Sequence, residues 1–80
     1  MRLLSTIAYE IERDWITGKG QRIVKSAFPY LVAMKSLGGI DEMYGCDSGR
    51  SIVLYFLANA GQWRGECARE IKKELNLMLK

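Results

Sequence analysis

The chain offers few residues that could carry out covalent or acid–base chemistry. Its 80 residues include two cysteines and no histidine. A zinc site built from Cys and His needs about four ligands, so the two thiols cannot complete one. Cys46 has no histidine to activate it, and the carboxylates fall mostly on predicted helix faces instead of gathering in a cleft. We therefore predict a protein that is not an enzyme, with no metal site and no cofactor.

Residues 45–51 are the part of the chain that comes nearest to an anion-binding loop. Two glycines, Asp47 and Ser48 precede an apolar run, and Arg50 follows them. Backbone N–H groups at the start of a helix can hold an anion, but the spacing is not that of a P-loop or a dinucleotide-binding loop. Asp47 and Ser48 are also good N-cap residues. Capping alone accounts for them and is favoured, and an anion held near Asp47 and Arg50 is the alternative.

A short basic cluster lies between the first two predicted helices. It consists of Lys19, Arg22 and Lys25, with no acidic residue between Lys19 and Lys35. The net charge of the chain is only 12 − 9 = +3, and single-sign clusters of this length are common on solvated surfaces. A solvated face is therefore the favoured interpretation, and contact with phosphate groups is the alternative.

Apolar residues at helical spacing predict amphipathic helices over residues 2–16 and 64–79. A further helix is predicted over residues 22–37, where Pro29 allows two interpretations. In the preferred one Ser26 caps the helix and Pro29 lies in its first turn, where its missing N–H costs nothing. In the other, residues 22–28 form a separate turn and the helix kinks at Pro29.

The second half of the chain contains the most apolar segment. Residues 49–60 are predicted to form a helix and not a strand, because a cap precedes them, Gly61 follows them and no second strand is evident. Being apolar on nearly all sides, this helix should be the central, most buried element, with Phe56 in the core. The preceding connection, residues 40–49, is predicted to contain one helical turn over residues 41–44 that ends at Gly45.

Together these elements predict one all-α domain over residues 1–80, a compact bundle of about four short helices around a central hydrophobic helix. Hydrophobic residues make up 49% of the chain, and most of its Tyr and Trp side chains are expected in the core. The longest apolar run is too short to cross a bilayer. We expect a cytoplasmic protein with Cys46 and Cys67 reduced, although one disulfide is arithmetically possible.

The predicted third and fourth helices, joined by Gly61 and Gln62, invite comparison with a helix-turn-helix motif. The outer face of the fourth helix mixes acidic and basic side chains, namely Glu66, Glu70, Glu74, Arg69, Lys72 and Lys73. Because carboxylates at this density repel a phosphate backbone, we do not expect this helix to read DNA.

Five motifs stand between residues 26 and 79: FPYLVAM at 28–34, YGCDSG at 44–49, IVLYFLANA at 52–60, WRGE at 63–66 and REIKKEL at 69–75. In this combination the chain resembles small bacteriophage and prophage proteins of uncharacterised function. The motifs contain no catalytic signature, so the resemblance carries over no residue roles. It implies a protein that acts by binding a host enzyme, a defence complex, another phage protein or nucleic acid.

The leading hypothesis is a non-enzymatic protein-binding module, such as a phage accessory or host-interaction protein of the inhibitor type. A homodimer is a further expectation, because four short helices cover this apolar content with difficulty. The alternative is a nucleic-acid-binding protein that uses Lys19, Arg22, Lys25 and Arg50. An enzyme with a site around Cys46, Asp47 and Arg50 is the least favoured hypothesis.

Overall fold

A computed structural model describes residues 2–17 and 23–80. Within those ranges the chain forms four helices and one two-stranded hairpin, in the order α1 (Leu4–Thr17), α2 (Phe28–Met34), β1 (Met43–Tyr44), β2 (Asp47–Ser48), α3 (Gly49–Asn59) and α4 (Glu66–Leu79). The protein is therefore mostly helical, as predicted, with a small hairpin in addition. No helix of the described ranges has the length and apolar character needed to span a membrane.

Helices α1 and α4 follow the amphipathic pattern of their sequences, and each begins and ends within two residues of its predicted bounds. Burying one apolar stripe against neighbouring helices is what makes helices of this length stable in a small domain. The buried side chains of the two stripes are Leu4, Ile7, Ala8, Ile11, Trp15, Ala68, Ile71, Leu75 and Met78.

Helix α2 is shorter than predicted, with only 7 residues. Pro29 lies in its first turn, which confirms the preferred of the two interpretations. The predicted cap is wrong, because Ala27 takes the N-cap position and no side chain caps the helix. The hydroxyl of Ser26 instead donates to the carbonyl oxygen of Asn59 at 2.8 Å. It therefore ties the start of α2 to the end of α3.

The connection before α3 contains a β-hairpin where a helical turn was predicted. Met43 pairs with Ser48 and Tyr44 with Asp47 in antiparallel register. Gly45 begins the two-residue turn with φ +62°, a backbone conformation that glycine adopts without steric cost and that tight hairpin turns require. The predicted helical turn over residues 41–44 is wrong for this reason.

Helix α3 begins at Gly49, as predicted, and buries Ile52, Val53 and Phe56. Its outer face is not covered, since Leu54 is 50% exposed and Tyr55 47% exposed. The helix is thus apolar on nearly all sides but is not buried on all of them. Its place at the centre of the bundle stays a prediction.

Contacts between neighbouring helices show that they run antiparallel. Ser26 at the start of α2 contacts Asn59 at the end of α3, and the rings of Tyr30 and Tyr55, one turn further along, lie 5.5 Å apart. The backbone N–H of Ser5, in the first turn of α1, donates to a carbonyl just beyond the end of α2. Helix α2 therefore runs antiparallel to both α3 and α1.

Helices α1 and α4 are related in the same way. Arg2, just before α1, pairs with Glu74 near the end of α4, whereas Asp14 near the end of α1 accepts a hydrogen bond from Trp63, just before α4. Consequently the end of α1, the start of α2, the end of α3 and the start of α4 meet at one end of the molecule.

A cluster of three aromatic side chains fills the core at that end. Trp15 from α1 stacks on Phe56 from α3 with ring centroids 6.1 Å apart. Trp63, from the α3–α4 turn, meets both rings edge-on at 5.9 and 6.1 Å. Because the three residues come from distant parts of the sequence, this cluster fixes the α3–α4 turn against α1.

Candidate functional site

The residues predicted from the sequence to contact an anion or a partner do not form one site. Asp47 and Arg50 lie at the start of α3, whereas Lys25 precedes Ser26, which bonds to the end of that helix. At about 1.5 Å of rise per residue, the two ends of α3 are roughly 15 Å apart. Lys19 and Arg22 lie outside the described residues.

The start of α3 is already satisfied by the chain itself. The N–H of Gly49 donates to Glu42 at 2.7 Å and the N–H of Arg50 to Ile40 at 3.0 Å, through backbone carbonyls. The hydroxyl of Ser48 accepts from the N–H of Ser51 at 3.1 Å, so Ser48 is the capping residue. These bonds use the N–H groups that an anion would need.

Arg50 and Gly49 at the start of α3 are also in close contact with other parts of the chain. The guanidinium of Arg50 donates to the carbonyl of Leu79 at 2.5 Å, across to the end of α4. A Cβ on Gly49 would lie 2.6 Å from the carbonyl oxygen of Gly39, so only glycine permits this close packing. The geometry is that of a capped and tightly packed helix start.

The two cysteines are free thiols in different surroundings. Cys46 is exposed on the hairpin turn and Cys67 is half-buried on α4. Burial raises the pKa of the Cys67 thiol, and the nearby carboxylate of Asp14 adds to the effect. A raised pKa keeps Cys67 in its less reactive protonated form. Within residues 2–17 and 23–80 no group of three or more Cys, Asp or Glu side chains is arranged so that it could hold a metal ion.

Most of the charged side chains of α4 line one of two grooves. The groove between α4 and α1, which we call the acidic groove, has a volume of about 490 Å³. It is lined by Arg2, Glu10, Glu66, Cys67, Glu70, Ile71 and Glu74.

Arg2 neutralises part of the acidic groove from within. Its guanidinium forms an ion pair with Glu10 and a two-pronged pair with Glu74, at 2.6 Å from Nη2 to Oε1 and 3.2 Å from Nε to Oε2. The hydrogen bond from Arg2 holds the pKa of Glu74 below its usual range. The acidic groove is thus a site that the chain fills with its own cation.

The other edge of α4 borders a groove of about 450 Å³ at the α3–α4 turn, which we call the basic groove. Three cations and no carboxylate are among its described lining residues, which are Gly61, Trp63, Arg64, Gly65, Ala68, Arg69 and Lys72.

Lys72 anchors the basic groove to the turn. Its ammonium donates to the carbonyls of Ala60 at 2.8 Å and Trp63 at 2.7 Å, and it lies 5.8 Å from the centroid of the Trp63 ring. Burial lowers the pKa of Lys72, and the positive charge of Arg64 lowers it further. The neighbouring charge that acts on Lys72, that of Arg64, therefore has the same sign as its own.

Helical periodicity explains this separation, which the sequence analysis missed. Glu66, Glu70 and Glu74 recur every four residues and so follow one edge of α4, whereas Lys72 falls on the opposite edge and Arg69 lies between the two, three residues after Glu66. The prediction treated all of these side chains as one mixed face. A helical projection would have shown two edges, but which neighbour each edge faces depends on the packing against α1.

A third surface of interest is apolar. The outer sides of the adjacent helices α2 and α3, here called the α2–α3 face, carry four large apolar side chains that are 38–50% exposed, namely Phe28, Val32, Leu54 and Tyr55. Among the Tyr and Trp side chains only Trp15 and Trp63 are buried, and the prediction that most of them belong to the core is wrong.

Comparison with known protein families, with curated proteins and with solved structures finds no match for this chain. Its function must therefore be argued from the grooves and faces described above.

Proposed function

We propose that this chain is a non-enzymatic, cytoplasmic protein-binding module. The observation that carries the proposal is the α2–α3 face, where four large apolar side chains on two adjacent helices are left partly exposed. Large apolar side chains left exposed together on a small domain commonly mark sites of protein interaction. Aromatic side chains such as Tyr55 are frequent anchors in such interfaces.

In the proposed module α3 is the central element, and it contributes side chains both to the core and to the binding surface. Ile52, Val53 and Phe56 pack inward, while Leu54 and Tyr55 are about half exposed. Tyr55 is supported by the ring of Tyr30 at 5.5 Å. A rigid, partly buried aromatic side chain of this kind loses little conformational entropy on binding, which favours a stable interface.

The resemblance to small phage and prophage proteins supplies a context for this proposal. In that context the partner is a host or phage protein, and the module acts as an accessory or inhibitor-type factor. A second copy of the chain is the other candidate partner, because the same apolar face could pair with itself.

Matched leucine substitutions test the proposed face. Leu54 on α3 and Leu77 on α4 are 50% and 49% exposed, so Leu54→Ser and Leu77→Ser remove equal amounts of exposed apolar surface from different places. We expect the wild type and Leu77→Ser to retain one partner from a host lysate and Leu54→Ser to lose it. Sedimentation of each pure protein identifies the case in which the partner is a second copy.

Two results would contradict the proposal. One is a folded, monodisperse monomer that retains nothing from the lysate. The other is retention that responds equally to Leu54→Ser and Leu77→Ser, since the α2–α3 face would then not be the binding surface.

A further inference from the structure

Three grooves adjoin around the α3–α4 turn and form one surface. The basic groove shares Gly61 and Arg64 with a second groove, and this second groove shares Ser26 and Gln62 with a third. We call the combined surface the turn surface. Its cations are Lys25, Arg64, Arg69 and Lys72, and none of the described residues that line it is acidic.

The turn surface keeps its positive charge because the acids of α4 face elsewhere. Glu66, Glu70 and Glu74 line the acidic groove, where Arg2 pairs with Glu74. Carboxylates intermixed with basic side chains would repel a phosphate backbone. These three carboxylates line the groove on the α1 side of α4 and are absent from the described lining of the turn surface.

The backbone of the turn surface is also open to close approach. Gly61 and Gly65 are exposed and have no side chain, and a Cβ on Gly61 would meet no atom within 4 Å. Helix α4 begins at Gly65 with no side-chain cap, in contrast to α3, which Ser48 caps. Main-chain N–H groups at an uncapped helix start attract an anion, and the carboxylate of Glu66 in the same turn lines the acidic groove on the other side of α4.

We propose that the turn surface binds the phosphodiester backbone of a nucleic acid, with Lys25, Arg64 and Arg69 contacting successive phosphates beside Lys72. The cations are spread over three adjoining grooves, so they suit a ligand with regularly spaced negative charges better than a single phosphate ion. Duplex DNA presents about one negative charge per 1.7 Å of its axis.

Binding at the turn surface is expected to be independent of sequence. The only aromatic ring among its described lining residues, that of Trp63, is 1% exposed and lies beneath the ammonium of Lys72. It cannot stack on a base. Contacts to phosphates alone position a nucleic acid without reading it. This activity goes beyond the proposed protein binding and uses different residues from the α2–α3 face.

Fluorescence anisotropy with a labelled DNA duplex, followed as a function of salt, tests the proposal. With three phosphate contacts, raising the salt from about 50 to about 200 mM should weaken binding about 40-fold, and with two contacts about 12-fold. We therefore expect the shallower dependence for Arg69→Gln and for Lys25→Gln. Lys73→Gln is the matched control, because it removes one charge from α4 outside the three grooves and should keep the wild-type slope.

Four outcomes would overturn the proposal. The first is no binding of duplex at low salt, and the second is an equal slope for Arg69→Gln and Lys73→Gln. The third is that inorganic phosphate alone displaces the duplex and, at the same concentration, saturates the changes that it causes in the amide spectra of the protein. The fourth is equal competition by polyglutamate, which would make an acidic protein the better ligand. Circular dichroism of each variant confirms that it is folded.

Discussion

The acidic and basic grooves on the two edges of α4 differ in how their charged side chains are paired. In the acidic groove Arg2 reaches from the far end of the sequence to pair with Glu10 and Glu74. In the basic groove Lys72 donates to two backbone carbonyls, which orient its ammonium without neutralising it. A net charge of +3 for the whole chain conceals this difference. Charge balance within a groove, and not over the chain, decides which edge can receive an anion.

The two grooves also rest on different parts of the core. Trp63 lines the basic groove and belongs to the aromatic cluster with Trp15 and Phe56. The acidic groove lies over the α1–α4 contact and includes none of these rings among its described lining residues. Substitutions in the cluster should therefore disturb the basic groove through the fold, whereas substitutions of Arg2 or Glu74 should leave it unchanged.

The largest effect is expected from Phe56→Ala. Phe56 is fully buried between Trp15 and Trp63, and truncating a buried aromatic residue costs about 3–5 kcal/mol of unfolding free energy. Urea denaturation measures this loss. Tyr55→Ala, on the exposed side of the same helix, is the control and should cost much less. A loss for Phe56→Ala well under about 1 kcal/mol would show that α3 does not form the core assigned to it.

Lys72→Met should have the next largest effect. It keeps most of the length of the side chain but removes the ammonium donor from the carbonyl of Trp63, whereas the carbonyl of Ala60 still accepts the N–H of Trp63. The cost is about 1–3 kcal/mol if the Trp63 carbonyl stays buried. The control is Lys73→Met, since Lys73 is exposed on the same helix. Equal unfolding free energies for the two variants would mean that water replaces the ammonium and that Lys72 does not anchor the turn.

Much of the fold could be predicted because α1 and α4 are long and strongly amphipathic. Their 14 residues each give several repeats of the apolar spacing, enough to place their ends within two residues. The hairpin could not be predicted in this way, since strands of 2 residues contain no measurable alternation. The clearest local signal for it was Gly45, which could equally end a helical turn.

The site was harder to predict than the fold, for a physical reason. The predicted basic cluster contains Lys19, Arg22 and Lys25 because they are close in sequence. Lys25 lies near Arg64, Arg69 and Lys72 only because of the packing at the end of the bundle. Because of its position in the sequence, Arg50 was predicted to contact an anion at the start of α3. Its guanidinium instead donates to a carbonyl at the end of α4. Antiparallel packing, which sets these neighbours, depends on loops whose geometry has no periodic signal.

The smallest effect is expected at the acidic groove, from Glu74→Gln. The Glu74 and Arg2 side chains are 26% and 38% exposed, so solvent screens the pair and its loss should cost only about 0.5–1 kcal/mol at neutral pH. Arg2 lowers the pKa of Glu74 in the folded state. The stabilisation is therefore complete above the unfolded pKa of about 4.3 and is lost as the pH falls through the lower folded value.

Thermal unfolding between neutral and acidic pH checks this expectation. The stability difference between the wild type and Glu74→Gln should shrink as the pH falls below about 4, because the wild-type carboxyl becomes neutral as well. High salt should also reduce the difference. Glu70→Gln is the control, since Glu70 lines the same groove but accepts no hydrogen bond from Arg2. A stability difference that is independent of pH and salt would show that Glu74 acts through packing, and that its ion pair with Arg2 does not stabilise the acidic groove.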